Sequence, residues 1–236
     1  MSELIFVRHG QASFGSESYD KLSVAGIEQV KLLSNHWLSL GENFDHIYSG
    51  SLRRQQETAS ELLHHVHEAS REPKVHSGFN EYNGNPLITI YLRDHVEEGG
   101  FEQGLELPIR NERLFQQVFE AATAKWIRNE LKAQSHDKNF EAWKDFQHRV
   151  HSAIDELMAR HQNGSRVLIS TSGGVIALAL QRALGFPDQQ VIATNWMVHN
   201  SSVTKIRYGN GKISLTMFNN LAHLEKPDLQ QLVTFR

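Results

Sequence analysis

The 236-residue sequence predicts an α/β fold: a three-layer α/β/α sandwich with a mostly parallel central sheet and a mainly helical insertion at about 87–140, in a single domain spanning 1–236. Two patterns predict it. Short apolar runs bounded by charges or glycines, Leu4–Val7, His46–Ser49 and Arg166–Ser170, read as strands buried on both faces. Each of these strands is followed, across a polar turn or loop, by a helical pattern, the rhythm of a layered sheet whose functional loops gather at the strands' carboxyl ends.

Each element follows from local pattern. After the first strand, Val24, Ile27, Val30, Leu33, Trp37 and Leu38 recur at helical spacing, with Ser23 as cap and Gly41 as stop. His46–Ser49 is the second strand, and Ser51 is expected to cap a helix carrying Leu52, Ala59, Leu62 and Val66. Lys74–His76 reads as a third strand, before a Gly- and Asn-rich loop over 77–86. The rhythm then breaks: an acidic, glycine-containing stretch at 97–106 precedes a helical pattern from Pro108 to Lys132. Glu141–Arg160 is a further helix, stopping near Asn163-Gly164. Gly174–Leu184 is an apolar helix after the Arg166–Ser170 strand, and Ser202–Tyr208 with Ile213–Phe218 form a hairpin across Gly209-Asn210-Gly211. Phe115, Phe119, Trp126, Phe140, Trp143 and Phe146 would form the insertion's own core.

Composition narrows the chemistry. There is no cysteine, which excludes disulfides, thiolate metal sites and cysteine nucleophiles. Lys and Arg number 24 against 27 Asp and Glu, a formal charge of −3 without basic clusters, so neither nucleic acid nor a membrane surface is expected as a partner. No apolar run approaches the roughly 18 residues of a membrane span, and the amino terminus reads as a strand rather than a secretory signal; a cytoplasmic protein is expected. Full protonation of the 14 histidines would carry the charge from −3 to +11, so anion affinity is expected to rise in mild acid. His64, His65 and His67 carry no HExxH-type pattern and read as exposed surface histidines; no metal is expected.

Four segments set reactive or anion-binding groups after a strand or at a helix start. Arg8-His9-Gly10 ends the first strand, and Ser49-Gly50-Ser51-Leu52-Arg53-Arg54 runs into a helix with two guanidinium groups suited to clamping an anion. Glu81 follows the third strand, and Ser170-Thr171-Ser172-Gly173-Gly174 again runs strand into helix, its glycines exposing backbone donors. Singly, each has a bland reading as a strand-end ion pair, surface arginine, structural carboxylate or helix cap.

Together and in this order they resemble the histidine phosphatase, or phosphoglycerate mutase-like, superfamily. RHG at 8–10 follows the first strand as in the family; LSVAGIEQV at 22–30 is similar to its LTxxGxxQA. SGSLRRQQETA at 49–59 resembles SSPLxRAxQTA, which assigns the family's arginine to Arg54; FNEYNG at 79–84 resembles LxExxxG, and HNSSVT at 199–204 its NxSV strand. The resemblance implies phosphomonoester hydrolysis without a metal or organic cofactor. His9 would attack phosphorus and form a phosphohistidine, Arg8 and Arg54 would hold the nonbridging oxygens, and Glu81, its proton affinity raised by a bound dianion, would protonate the leaving oxygen. The expected partner is a small phosphorylated substrate or inorganic phosphate, chosen by the insertion, whose acidic residues Asp94, Glu97, Glu98, Glu102 and Glu106 disfavour polyanions.

The sequence departs from the family in two places. Its VSHGG turn carries a second histidine, whereas here Ser172 occupies that position; losing one such donor typically costs on the order of a hundred- to a thousandfold in rate. Weak hydrolysis is therefore expected, and mutase activity is not. Thr171, Ser172, Gly173 and Asn200 would complete the phosphate site, strand alternation favouring Asn200 over His199. Ala12 and Gly15 replace a hydroxyl residue and an asparagine after RHG, with Ser13 as a substitute. Two alternatives stand beside this reading: a phosphate-binding or regulatory protein of the same fold with impaired turnover, and a serine hydrolase using Ser172 with His199 and Asp188.

Overall fold

The computed structural model describes residues 1–13, 20–102, 104–105 and 107–235. Its strands form where the apolar runs are. β1 (Ser2–Arg8), β2 (His46–Ser49), β3 (Lys74–Val75), β4 (Arg166–Thr171), β5 (Val203–Gly209) and β6 (Lys212–Asn220) make one sheet in the order β3-β2-β4-β1-β5-β6. The pairs from β3 to β1 are parallel, and β5 lies antiparallel to both β1 and β6, so β5 alone reverses the common direction. At the β5–β6 turn Asn210 and Gly211 have φ of 52° and 70°, the backbone that Asn-Gly supplies cheaply.

The pleat sends alternate side chains to opposite faces. On one face Ile5, Val7, Ile47 and Leu168 join Val30, Leu33 and Trp37 of α1 (Val24–Leu40) and Ala59 of α2 (Arg53–Glu61) in a single apolar cluster. Burying one such aliphatic side chain is worth about 1.5–3 kcal/mol, which explains why four-residue strands suffice. The opposite face is covered by α6 (Gly173–Leu184), with the whole stretch from Gly173 to Gln181 buried; α7 (Asp188–Met197) packs on it.

Several local expectations are revised. Ser23 does cap α1, accepting from Gly26 N–H, and Gly41 ends it at φ 66°. Its buried face, however, is Gly26, Gln29, Val30, Leu33, Ser34 and Trp37, while Val24, Ile27 and Leu38 are exposed, because the polar Gln29 is used inside the molecule. Ser51 does not cap α2. Its hydroxyl accepts from Asn80 Nδ2 (2.8 Å), and Leu52 stands at the cap position with no side-chain bond of its own. His65 is not a surface residue: its ring lies edge-on to Trp37 and Nε2 meets Ser34 Oγ at 3.0 Å. Helix α7 was unmarked in the sequence, its ten residues lacking a clear apolar stripe.

The chain divides into two compact units, Met1–Glu81 with Arg149–Arg236, and Tyr82–His148. The second holds α3 (Gly84–Asp94), α4 (Glu112–Ile127) and the start of α5 (Trp143–Arg160). Its core is aromatic: Trp126 sits 4.8 Å from Tyr82 and 5.0 Å from Trp143, and its indole N–H donates to Glu141 O (2.8 Å). Helix α3 begins inside the stretch expected to be loop, with Asn83 accepting from Asn85 N–H.

Candidate active site

β1, β2 and β4 end side by side, and the residues that follow them are joined by one hydrogen-bonded network. His9 comes one residue after β1 and is 6% exposed. Its backbone N–H donates to Thr171 O (2.8 Å), extending the β1–β4 ladder in which Arg8 pairs with Thr171. The ring nitrogen Nδ1 lies 2.7 Å from the Gly10 carbonyl. A carbonyl only accepts, so Nδ1 carries the proton and Nε2 the lone pair. Arg54 agrees with that tautomer, its Nε–H donating to His9 Nε2 at 3.1 Å. Burial first, then the charges of Arg54 and Arg8, hold the imidazole well below its ordinary titration range, so His9 is a neutral base.

The loop that carries His9 is fixed by close contact. A Cβ on Gly10 would stand 2.3 Å from the Gly26 carbonyl oxygen, and one on Gly26 would stand 2.2 Å from that of Gln11, so two glycines let this loop lie directly on α1. Gly10 N–H donates to Thr58 Oγ1 (3.2 Å) and Gln11 N–H to Gln29 Oε1 (2.8 Å). Arg54 is held from behind by Asp20, whose carboxylate meets Nη1 at 2.5 Å and also accepts from Arg53 N–H (2.8 Å). Arg53 itself points outward and pairs with Glu57. Arg8 donates to the carbonyls of Val198 and, at 2.7 Å, of Phe235.

At the end of β4 the hydroxyls of three successive residues are used. Ser170 donates to Gln55 O (2.7 Å), Thr171 donates to Phe79 O (2.7 Å), and Ser172 Oγ accepts from Gln55 Nε2 (2.9 Å). Gly173 opens α6, and Glu81 Oε2 accepts from Gly174 N–H (2.9 Å), placing a carboxylate at the positive end of that helix. His9, Arg54, Glu81, Ser172 and Gly173 thus belong to one neighbourhood. Asn200 lies behind it: it is fully buried, Nδ2 donates to His9 O (3.2 Å), and Oδ1 accepts from Thr234 (2.9 Å). Its amide is spent on the backbone of the nucleophile candidate, in place of the phosphate contact that strand alternation suggested.

His199 Nδ1 bonds Asn219 and its ring lies tilted against Phe235, centroids 4.0 Å apart, while Ser172 is bonded to Gln55; no serine–histidine bond forms between them. Ser13 donates to Leu22 O (3.1 Å). Gly15 and Glu106 lie outside the described residues. Sequence reasoning missed Asp20, Gln55 and the 232–235 segment, whose Thr234 and Leu232 also receive the Gln29 amide. Only Gln55 left a trace, as a polar residue within the motif on a short helix.

The model of the histidine phosphatase superfamily (branch 1) matches residues 4–90 and 110–221, and the chain belongs to that superfamily. No curated protein matches it. Solved structures sharing the fold include phosphoglycerate mutase from Bacillus anthracis str. Sterne, at 19% identity and TM-score 0.64 over 94% of each chain. A phosphoserine phosphatase mutant from Entamoeba histolytica in complex with phosphoserine has 19% identity and TM-score 0.63, over 95% of this chain and 100% of that one. A mycobacterial glucosyl-3-phosphoglycerate phosphatase with inorganic phosphate has 20% identity and TM-score 0.62, over 95% and 100%.

Proposed function

We propose that this protein hydrolyses small phosphomonoesters through a phosphohistidine on His9 Nε2. The observation that carries the reading is the tautomer: with Nδ1–H fixed on Gly10 O, the lone pair of a neutral, buried imidazole is presented at Nε2, and the group now facing it is a guanidinium N–H. An incoming phosphoryl oxygen takes over that donor. Nε2 then forms a bond to phosphorus as the bond to the ester oxygen breaks, and the leaving oxygen takes a proton from Glu81. Water attacks the phosphohistidine in the second step, giving its proton to Glu81 and releasing inorganic phosphate and free His9. Arg54 and Arg8 neutralise the transferring group, with N–H groups at Gly173 and the Ser172 hydroxyl as further donors. Asn200 fixes the His9 main chain. The phosphoserine and inorganic phosphate in the two phosphatase structures named above support this substrate class.

Ser172, where the family has histidine, keeps a second reading in view: a phosphate-binding protein of the same fold without turnover. One experiment separates the two. Wild type and His9→Ala are assayed on a panel of phosphomonoesters, with alkaline-quench trapping of an acid-labile, base-stable phosphoprotein. Turnover and trapped phosphate in wild type alone support hydrolysis through His9. Equal turnover in both removes the nucleophile, and phosphate binding without turnover selects the second reading.

A further inference from the structure

Ser172 occupies the N-cap of α6 yet does not cap it. Serine is among the best capping residues, its oxygen ordinarily accepting from the N–H two or three positions on. Here Glu81 reaches in to take the Gly174 N–H, and Ser172 Oγ accepts from Gln55 Nε2 at 2.9 Å instead. Gln55 is itself immobilised. It is fully buried, Nε2 also donates to Phe79 O (3.0 Å), and Oε1 accepts from Leu52 N–H at 3.3 Å. Flipping the amide would set Oε1 against the Phe79 carbonyl, so its orientation is unique.

The substitutions around this contact fit one another. With Arg54 and Thr58 in register, the SSPLxRAxQTA pattern carries alanine at position 55 and a serine at position 50, and VSHGG carries histidine at 172; this chain has Gln55, Gly50 and Ser172. A Cβ at Gly50 would stand 1.9 Å from Gln55 Oε1, so the glycine makes room for the longer side chain. The β1–β4 register, with Arg8 opposite Thr171, sets Ser172 beside His9.

We propose that Gln55 is a positioning residue that, by occupying one acceptor site of Ser172 Oγ, turns the hydroxyl proton toward the transferring phosphoryl group, so that the Gln55–Ser172 pair supplies the donor that a second histidine supplies elsewhere. The pair is neutral and does not titrate. It rests on the phosphatase reading above for its role in turnover, but its role in holding an anion is independent of catalysis.

The test uses the full chain with p-nitrophenyl phosphate for kcat and KM, and inorganic phosphate by calorimetry for binding. Ser172→Ala is expected to lower kcat on the order of a hundredfold or more, the loss of one preorganised donor. Gln55→Leu, similar in size but without a donor, is expected to lower kcat about tenfold and to add nothing in the Ser172→Ala background; a loss through its other bonds, to Phe79 O and Leu52 N–H, would persist there. Gly50→Ala, which pushes the carboxamide without changing it, is expected to behave as Gln55→Leu does. Gln55→Ala/Ser172→His restores turnover and adds to phosphate affinity a dependence on the charge of the new histidine, beyond the dependence that the phosphate's own ionisation gives the wild type. Circular dichroism confirms folding, and Gly50→Ala serves if Gln55→Leu is unstable. A folded Gln55→Leu with unchanged kcat and phosphate affinity, or one whose loss persists undiminished in the Ser172→Ala background, overturns the proposal. If wild type shows no His9-dependent hydrolysis the phosphatase reading fails instead, and the phosphate-binding arm alone judges the pair by the same criteria.

Discussion

His9 is held neutral by burial and two arginines, and this fixes how the site responds to acid. Protonation would place a third positive charge among Arg8 and Arg54 with little solvent to screen it. The acid limb of kcat/KM against pH is therefore expected below 6.5, the value of an unperturbed histidine, and a limb at or above 6.5 would contradict the burial and charge argument. Asn200 offers a second test at this scale. Asn200→Ala strips a buried donor from His9 O and an acceptor from Thr234, and leaving such groups unpaired costs about 1–3 kcal/mol. Urea denaturation should show that loss, together with a fall in kcat at similar KM, because the residue touches the His9 backbone and is buried behind the site.

Helix ends and loop contacts couple stability to chemistry differently at different positions. Glu81 is both the acid candidate and the acceptor for the first turn of α6. Glu81→Gln keeps an acceptor oxygen but no transferable proton, and is expected to lose turnover while retaining stability; Glu81→Ala should lose turnover and about 1 kcal/mol besides. Equal stability of the two variants would show that the bond to Gly174 contributes nothing. Gly10 tests the seating of the His9 loop on α1. In Gly10→Ala the new methyl meets the Gly26 carbonyl at 2.3 Å, so backbone must shift, with an expected cost of about 1–3 kcal/mol and displacement of His9.

Across the whole molecule, buried histidines set the response to pH. His161 and His223 are both pushed down to about 4, chiefly by burial. The unfolded chain takes up these protons below about 6.5 while the folded chain does not, so their contribution to stability is complete above 6.5 and is lost progressively as pH falls toward 4. Melting temperatures measured at pH 7, 5.5 and 4.5 should decline across that window, and His223→Gln, keeping a partner for Ser201, should flatten the decline. The same burial tempers the expectation from composition that all 14 histidines could charge in mild acid. His9, His46, His65, His151, His161, His199 and His223 are all displaced downward, so the gain in positive charge, and with it in anion affinity, comes later and is smaller.

Local pattern was enough to determine the strands, most helices and the family, because apolar periodicity and caps act over a few residues and RHG, the Arg54 motif and the Glu81 loop each survive as contiguous text. It also marked His9, Arg54, Glu81 and Ser172 as belonging together, through the order of those motifs. What it could not reach were relations between residues distant in the chain. Gln29 is buried in α1 because the 232–235 segment returns to meet it; Asn200 faces the His9 backbone because β5 runs antiparallel beside β1; and Ser172 gives up its helix cap because Glu81 arrives from a loop 91 residues earlier. A hydrogen bond is decided by position in space to within tenths of an ångström, and only the folded chain sets those positions.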